Sequence, residues 1–205
     1  MTSSHTSAGR IGLALALSLF AHCAHSQLPS GSAAAAADRD VGRGFREQAE
    51  EISSWGLAPE ILDAVLERNA HEVLMETIRA IDLNWIYATR ETARMRSLMS
   101  SPCGKKLREL VNGDPSYREA MVMDDLGALV CMSRRTSDYW QGDEAKWTRA
   151  FDEGRGAVFI AERAFDESVG AVLVQLSVPI MAEERAIGVI TVGVAVSEEA
   201  ERSIQ

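Results

Sequence analysis

Every second residue from Val172 to Val178 is aliphatic (Val172, Val174, Leu176, Val178), and the residues between them are Leu173, Gln175 and Ser177. Side chains alternate between faces at this period only in an extended strand, so the segment predicts a strand with one wholly aliphatic face and one half-polar face. A half-polar face meets solvent unless another segment covers it and closes a small cavity. The connection 133–153 is the segment placed to do that.

Four further strands follow from the same grammar. Ala120–Asp124 and Ala128–Met132 flank Asp125-Leu126-Gly127, the pattern of a tight hairpin with glycine in a positive-φ position. Ala157–Ala161 follows Gly154 and Gly156, and Ile187–Val196 follows the charged turn Glu183-Glu184-Arg185. Asp143–Phe151, between the second and third strands, is helical in pattern. Before Pro115 the period changes to three and four, with Ile61, Val65, Val73, Ile78, Ile81 and Trp85 as the apolar positions, and Pro59 and Pro102 divide this region into several helices. The expected fold is α+β: a five-stranded antiparallel sheet with long N-terminal helices, residues 41–113, packed behind it.

The N-terminus reads as an export signal over residues 1–26, with Arg10, an apolar run from Ile11 to Ala21, and small residues at Ala24-His25-Ser26 before cleavage. The run is shorter than the about 20 apolar residues that span a bilayer. Residues 27–40 are rich in Ser, Gly and Ala and read as a flexible leader. The later apolar stretch 171–196 is interrupted by Gln175, Pro179, Glu183, Glu184 and Arg185. The expectation is a soluble periplasmic protein, one domain over residues 41–200. Lys and Arg total 21 against 30 Asp and Glu, a net charge of −9, which repels phosphate backbones and anionic lipid and so excludes nucleic acid as a partner class. Cys23 leaves with the signal. Cys103 and Cys131 remain, an even pair that an oxidising compartment permits to bond; spacing alone does not bring their Cα atoms together, and each also reads as a small buried hydrophobe.

Tyr117–Ser133, reading YREAMVMDDLGALVCMS, is similar to the first hairpin of Cache sensor domains. Thr136–Trp147, reading TSDYWQGDEAKW, resembles the ligand-facing connection of single-Cache (PAS-like, PDC-type) periplasmic proteins, and Phe165–Ser168, Val178-Pro179 and Ile187-Gly188-Val189 continue the likeness in order. The resemblance implies a five-stranded PAS-like sheet, a long N-terminal helix and binding of small extracellular molecules: organic acids, amines or amino acids. Most members lie outside a membrane-bound receptor, kinase or cyclase. No membrane helix or signalling domain follows Val196 here, so the expectation is a module that works with a separate partner of that kind. The Arg, Trp, Tyr pattern of amino-acid-binding double-Cache receptors is not visible.

Tyr139, Trp140 and Trp147 fall within nine residues, and aromatic walls exclude water and attract cations through their faces. The competing reading of Trp147 is a packing stripe with Phe151. Asp138 and Asp166 are candidates to pair with an ammonium, whereas Asp143 and Glu144 fit the start of a helix. Arg135, with Ser137, suits a carboxylate; Arg134 is its alternative, since adjacent residues of an extended chain point opposite ways. Lys146 reads as solvated. Asp138, Asp143 and Glu144 lack the alternation of a calcium loop, so no metal is expected.

His5, His22 and His25 lie in the signal, leaving His71 as the one histidine of the exported chain. Paired-histidine zinc sites and Ser-His-Asp triads are then hard to assemble, and no phosphate loop, dinucleotide fingerprint or haem motif is present. The sequence reads as a binding protein without cofactor, not an enzyme. The alternative is a helical interaction protein, possible as a homodimer, with a vestigial pocket.

Overall fold

The structure, a computed structural model, describes residues 31–166 and 169–196, with side chains from Arg43 onward. The signal region and residues 197–200 of the expected domain lie outside the described residues.

Five helices come first: α1 (Gly31–Trp55), α2 (Pro59–Asn69), α3 (Met75–Ile86), α4 (Ala93–Ser100) and α5 (Pro102–Gly113). Proline opens α2 and α5, where its missing N–H costs no hydrogen bond. Ser101 caps α5 by accepting the Gly104 N–H at 3.0 Å. The backbone of residues 31–40, expected as part of a flexible leader, is helical and forms the first turns of α1. Ala33–Ala37 is the reason: alanine gives up no side-chain entropy in a helix and has the highest helix propensity.

The strands are β1 (Tyr117–Met123), β2 (Leu129–Met132), β3 (Phe159–Ile160), β4 (Ala164–Asp166), β5 (Ala171–Ala182) and β6 (Arg185–Ala195), with α6 (Ala145–Phe151) between β2 and β3. They form one antiparallel sheet in the order β2-β1-β6-β5-β3, and β4 also pairs with β5. This is the expected α+β, PAS-like arrangement. The sheet differs from the expected five strands in two ways: the third, expected over Ala157–Ala161, is reduced to Phe159–Ile160, where Phe159 pairs with Ser177, and a sixth strand, β4, follows it with Ala164 paired to Leu173. Gly127, at φ 79°, makes the β1–β2 turn possible.

The two faces of the sheet bury two separate cores. On one, Ile52 and Trp55 of α1, Ile61 and Val65 of α2 and Leu107 of α5 cover Val122, Val174, Leu176, Val178, Ile190 and Val192. The aliphatic face read from β5 is therefore the one that α1, α2 and α5 cover, while α3 and α4, expected behind the sheet with them, belong to the core on the opposite face. On the other, Met121, Met123, Leu129, Met132 and Val189 meet Ile78, Trp85, Tyr139 and Ala150. Ser177, on this half-polar face, is fully buried and shares a hydrogen bond with Thr191 at 2.8 Å. Cys103 of α5 and Cys131 of β2 form a disulfide across a Cα distance of 5.9 Å, fastening the helical layer to the edge strand.

Candidate ligand-binding cavity

The segment 133–146 folds back over the half-polar face and closes a cavity of about 520 Å³. Its floor is Glu119 and Met121 of β1 with Gln175 of β5; its roof is Arg135, Thr136, Ser137, Gln141 and Lys146; Phe165 and Asp166 of β4 close the side. Glu119 and Met121 both face it because residues two apart on a strand share a face.

Charged groups of both signs meet there. Glu119 and Lys146 are nearly buried. Lys146 Nζ lies 3.0 Å from Glu144 Oε2. Arg135 donates to the Ala88 carbonyl at 2.6 Å, and Asp166 accepts the Val169 N–H at 3.1 Å. Burial, reinforced by the nearby Asp166, pushes the Glu119 carboxyl above the usual carboxylate range, against the opposing pull of Arg134 and Lys146. Burial also raises Glu144, with Lys146 opposing. Gln141 is fully buried; its Nε2 donates to the Asp138 carbonyl at 3.1 Å and to Asp138 Oδ1, while its Oε1 has no hydrogen-bond partner among the described residues.

Of the residues singled out in the sequence, Arg135, Ser137 and Asp166 line this cavity. The three aromatic residues do not, which corrects the expectation of aromatic walls. Tyr139 is buried on the far side of the roof, its ring 5.6 Å from that of Trp85 and its hydroxyl accepting from Arg68 Nη2 at 3.3 Å. Trp140 Nε1 donates to the Leu126 carbonyl at 2.8 Å, and the Arg79 guanidinium lies 5.7 Å from its ring centre. Trp147 stacks on Phe151 at 4.7 Å and donates from Nε1 to the Asp124 carbonyl at 3.1 Å, so the packing-stripe reading holds for it. The physical reason is common to the two tryptophans: a half-buried indole is held where its N–H finds an acceptor, and the hairpin turn offers carbonyls. Asp138 also stays out of the lining; its Oδ1 accepts from Ser137 Oγ at 2.6 Å and from Gln141, which orders the roof.

Sequence reasoning missed Glu119, Gln141 and Lys146, and read Lys146 as solvated. The period of β1 places Glu119 with Met121, and helical spacing places Lys146 with the buried Ala150, so two of the three carried a signal. Nothing local marks Gln141.

A second, wider groove of about 810 Å³ lies beyond the roof, between α2, α4 and α5, with Arg68, Leu98, Cys103, Leu129 and Tyr139 among its lining. Its rim residues Glu60, Asp63, Glu67, His71 and Arg94 are all exposed, so it offers a ligand less desolvation than the roofed cavity. Among the described residues no cluster of three His, Cys, Asp or Glu side chains is placed to hold a metal ion, and no helix is long and apolar enough to cross a membrane.

Fold and cavity together define an α+β domain with an antiparallel PAS-like sheet and a roofed, charged cavity on one face. No protein-family model matches the chain, and no curated protein matches it. Among solved structures it is similar to the sensory domain of the Campylobacter jejuni chemoreceptor Tlp3 with isoleucine bound (TM-score 0.38, 12% identity, 86% of this chain and 67% of that one). It is also similar to the ligand-binding domain of the Pseudomonas aeruginosa PAO1 amino acid chemoreceptor PctC in complex with GABA (0.38, 13%, 78% and 62%). A third is the V. cholerae histidine kinase DctB sensor domain (0.36, 12%, 81% and 61%). At these scores and identities neither ligand nor partner carries over to this chain.

Proposed function

We propose that this chain is an exported sensor module of the Cache class that binds a small molecule in the roofed cavity and works with a separate signalling partner, a membrane-bound receptor or kinase. The observation that carries the reading is that Glu119 and Asp166 share the lining of one half-enclosed cavity of about 520 Å³ with Lys146 and Arg135. Acidic and basic groups lining one cavity suit a ligand that carries both an ammonium and a carboxylate, and low local dielectric strengthens both contacts. Among organic acids, amines and amino acids, the cavity favours the amino acids. Arg135, Ser137 and Asp166 are kept as ligand contacts; Tyr139, Trp140, Trp147 and Asp138 act by holding the roof. The Cys103–Cys131 disulfide supports an oxidising, periplasmic setting.

Thermal melts of the purified protein with a panel of amino acids, and of their matched amines and acids, test this. A ligand at a hundred times its dissociation constant stabilises by about 2.7 kcal/mol, readily seen as a shift in Tm. Amino acids should shift Tm most, and Lys146→Met should remove the shift. A panel without any shift, together with a stable dimer in light scattering, favours the helical interaction reading instead, for which exposed Leu83, Ile86 and Tyr87 are the supporting observation.

A further inference from the structure

Asp82 of α3 reaches the roof of the cavity. Its Oδ1 accepts the backbone N–H of Tyr139 at 2.8 Å and that of Trp140 at 3.0 Å, so one carboxylate oxygen bridges two successive peptide groups 57 and 58 residues away in sequence. The neighbours of Asp82 on the same helix act on the same segment. Arg79 lies over the Trp140 ring, and Trp85 packs on Tyr139 and donates from Nε1 to the Thr136 carbonyl at 3.1 Å. Arg79, Asp82 and Trp85 are three apart, which puts them on one side of the helix.

The chain held this way is two-sided. Ser137 and Gln141 line the cavity, while Tyr139, between them, points to the opposite side and is buried against α3. A ligand that fixes Ser137 and Gln141 therefore fixes the peptide groups that Asp82 binds. One turn along from Arg79 and Asp82, α3 exposes Leu83 and Ile86, followed by Tyr87, so a change in the roof reaches an apolar surface through one helix.

We propose that Asp82 is the positioning residue that couples the cavity to α3: filling the cavity orders α3, and an ordered α3 tightens the cavity, by the reciprocity any such coupling obeys. The proposal rests on the sensor reading for its ligand but not for the tie itself, and the experiment separates the two.

Amide hydrogen exchange is measured on wild type, Asp82→Ala and Asp82→Asn without ligand. Asp82→Ala should speed exchange at Tyr139 and Trp140 and, together with them, at residues 83–87 of α3, each by about tenfold, a typical coupling magnitude. Asp82→Asn keeps an acceptor oxygen at the same place and should restore both regions. Faster exchange in the roof with α3 within twofold of wild type, a margin of roughly 0.4 kcal/mol, overturns the coupling. The measurement is then repeated on wild type with the amino acid that gives the largest Tm shift. Protection of residues 83–87, lost in Asp82→Ala, is expected; protection of the roof alone overturns the proposal even if Asp82→Ala fails to fold. Should no amino acid shift Tm, the sensor reading falls, and the ligand-free comparison still decides whether Asp82 ties the two elements.

Discussion

Arg68 Nε donates to Asp124 Oδ2 at 3.0 Å, joining the end of α2 to the residue that follows β1. The same carboxylate accepts the N–H groups of Leu126 at 2.9 Å and Ala128 at 2.8 Å through Oδ1. Asp124 thus closes the hairpin turn and anchors the helical layer with one side chain. Burial raises its carboxyl, and the two backbone donors and Arg68 oppose that rise.

Asp124→Ala strands Arg68 and two backbone N–H groups at once. Removing one partner of a buried pair costs about 3 to 5 kcal/mol. We expect a loss in that range in urea unfolding, with Arg68→Ala costing less because Asp124 keeps its two backbone donors. A loss under about 1 kcal/mol, the level of an exposed pair, contradicts this view of the turn.

Glu119 should make stability depend on pH in a definite direction. Its carboxyl is raised in the folded state, so the fold prefers it protonated. That preference is fully present below the unfolded value near 4.5 and is lost as pH rises through the folded value. Glu119→Gln, which copies the protonated form, should raise Tm at about pH 7.5 and leave it unchanged at about pH 4. An equal effect at both values excludes titration of Glu119 as the cause.

Reducing the Cys103–Cys131 bond opens a loop of 28 residues of sequence separation. Loop-closure entropy puts the cost at about 3 to 4 kcal/mol. The Cys103→Ala, Cys131→Ala pair should melt about 10 °C lower than wild type and respond no further to reductant.

Tyr139 is expected to act on stability through its ring and only weakly through its hydroxyl. Tyr139→Ala empties a fully packed position beside Trp85 and should cost about 3 to 5 kcal/mol. Tyr139→Phe keeps the ring and loses one hydrogen bond, about 1 kcal/mol. Ligand affinity in Tyr139→Phe should match wild type, since the hydroxyl points away from the cavity; a tenfold loss of affinity, about 1.4 kcal/mol, places it back in the site.

Gly127→Ala tests the approach of the roof to the hairpin. A Cβ there would lie 2.3 Å from the Gly142 Cα, at a φ of 79°. Strain of this kind costs of order 1–3 kcal/mol before any contact is counted. Both a lower Tm and faster exchange at Gln141, whose N–H donates to the Gly127 carbonyl at 2.8 Å, are expected.

The pattern of the sheet was legible because it is local. The alternation in β5 needs no knowledge of any other residue to assign its two faces, and Pro59, Pro102 and Gly127 punctuate the chain through their own backbone preferences. The cavity was legible in outline for the same reason, since a strand face with Gln175 and Ser177 must be covered or wetted. What failed were the side-chain directions in the roof. Three aromatic residues in nine look like a binding wall, yet their orientation depends on Asp82, Arg68 and the Asp124–Gly127 turn, none of which is their neighbour in sequence.

The sequence by itself determined the succession from helices to strands, the hairpin and the two unlike faces of β5, because periodicity and backbone preference are properties of short segments. Only the tertiary structure decided that Cys103 meets Cys131, that Glu119 and Lys146 line one cavity, and that Tyr139 turns toward α3 instead of that cavity. Those outcomes depend on hydrogen bonds and packing between groups 27 to 71 residues apart, and a segment carries no record of partners it meets only when the chain folds.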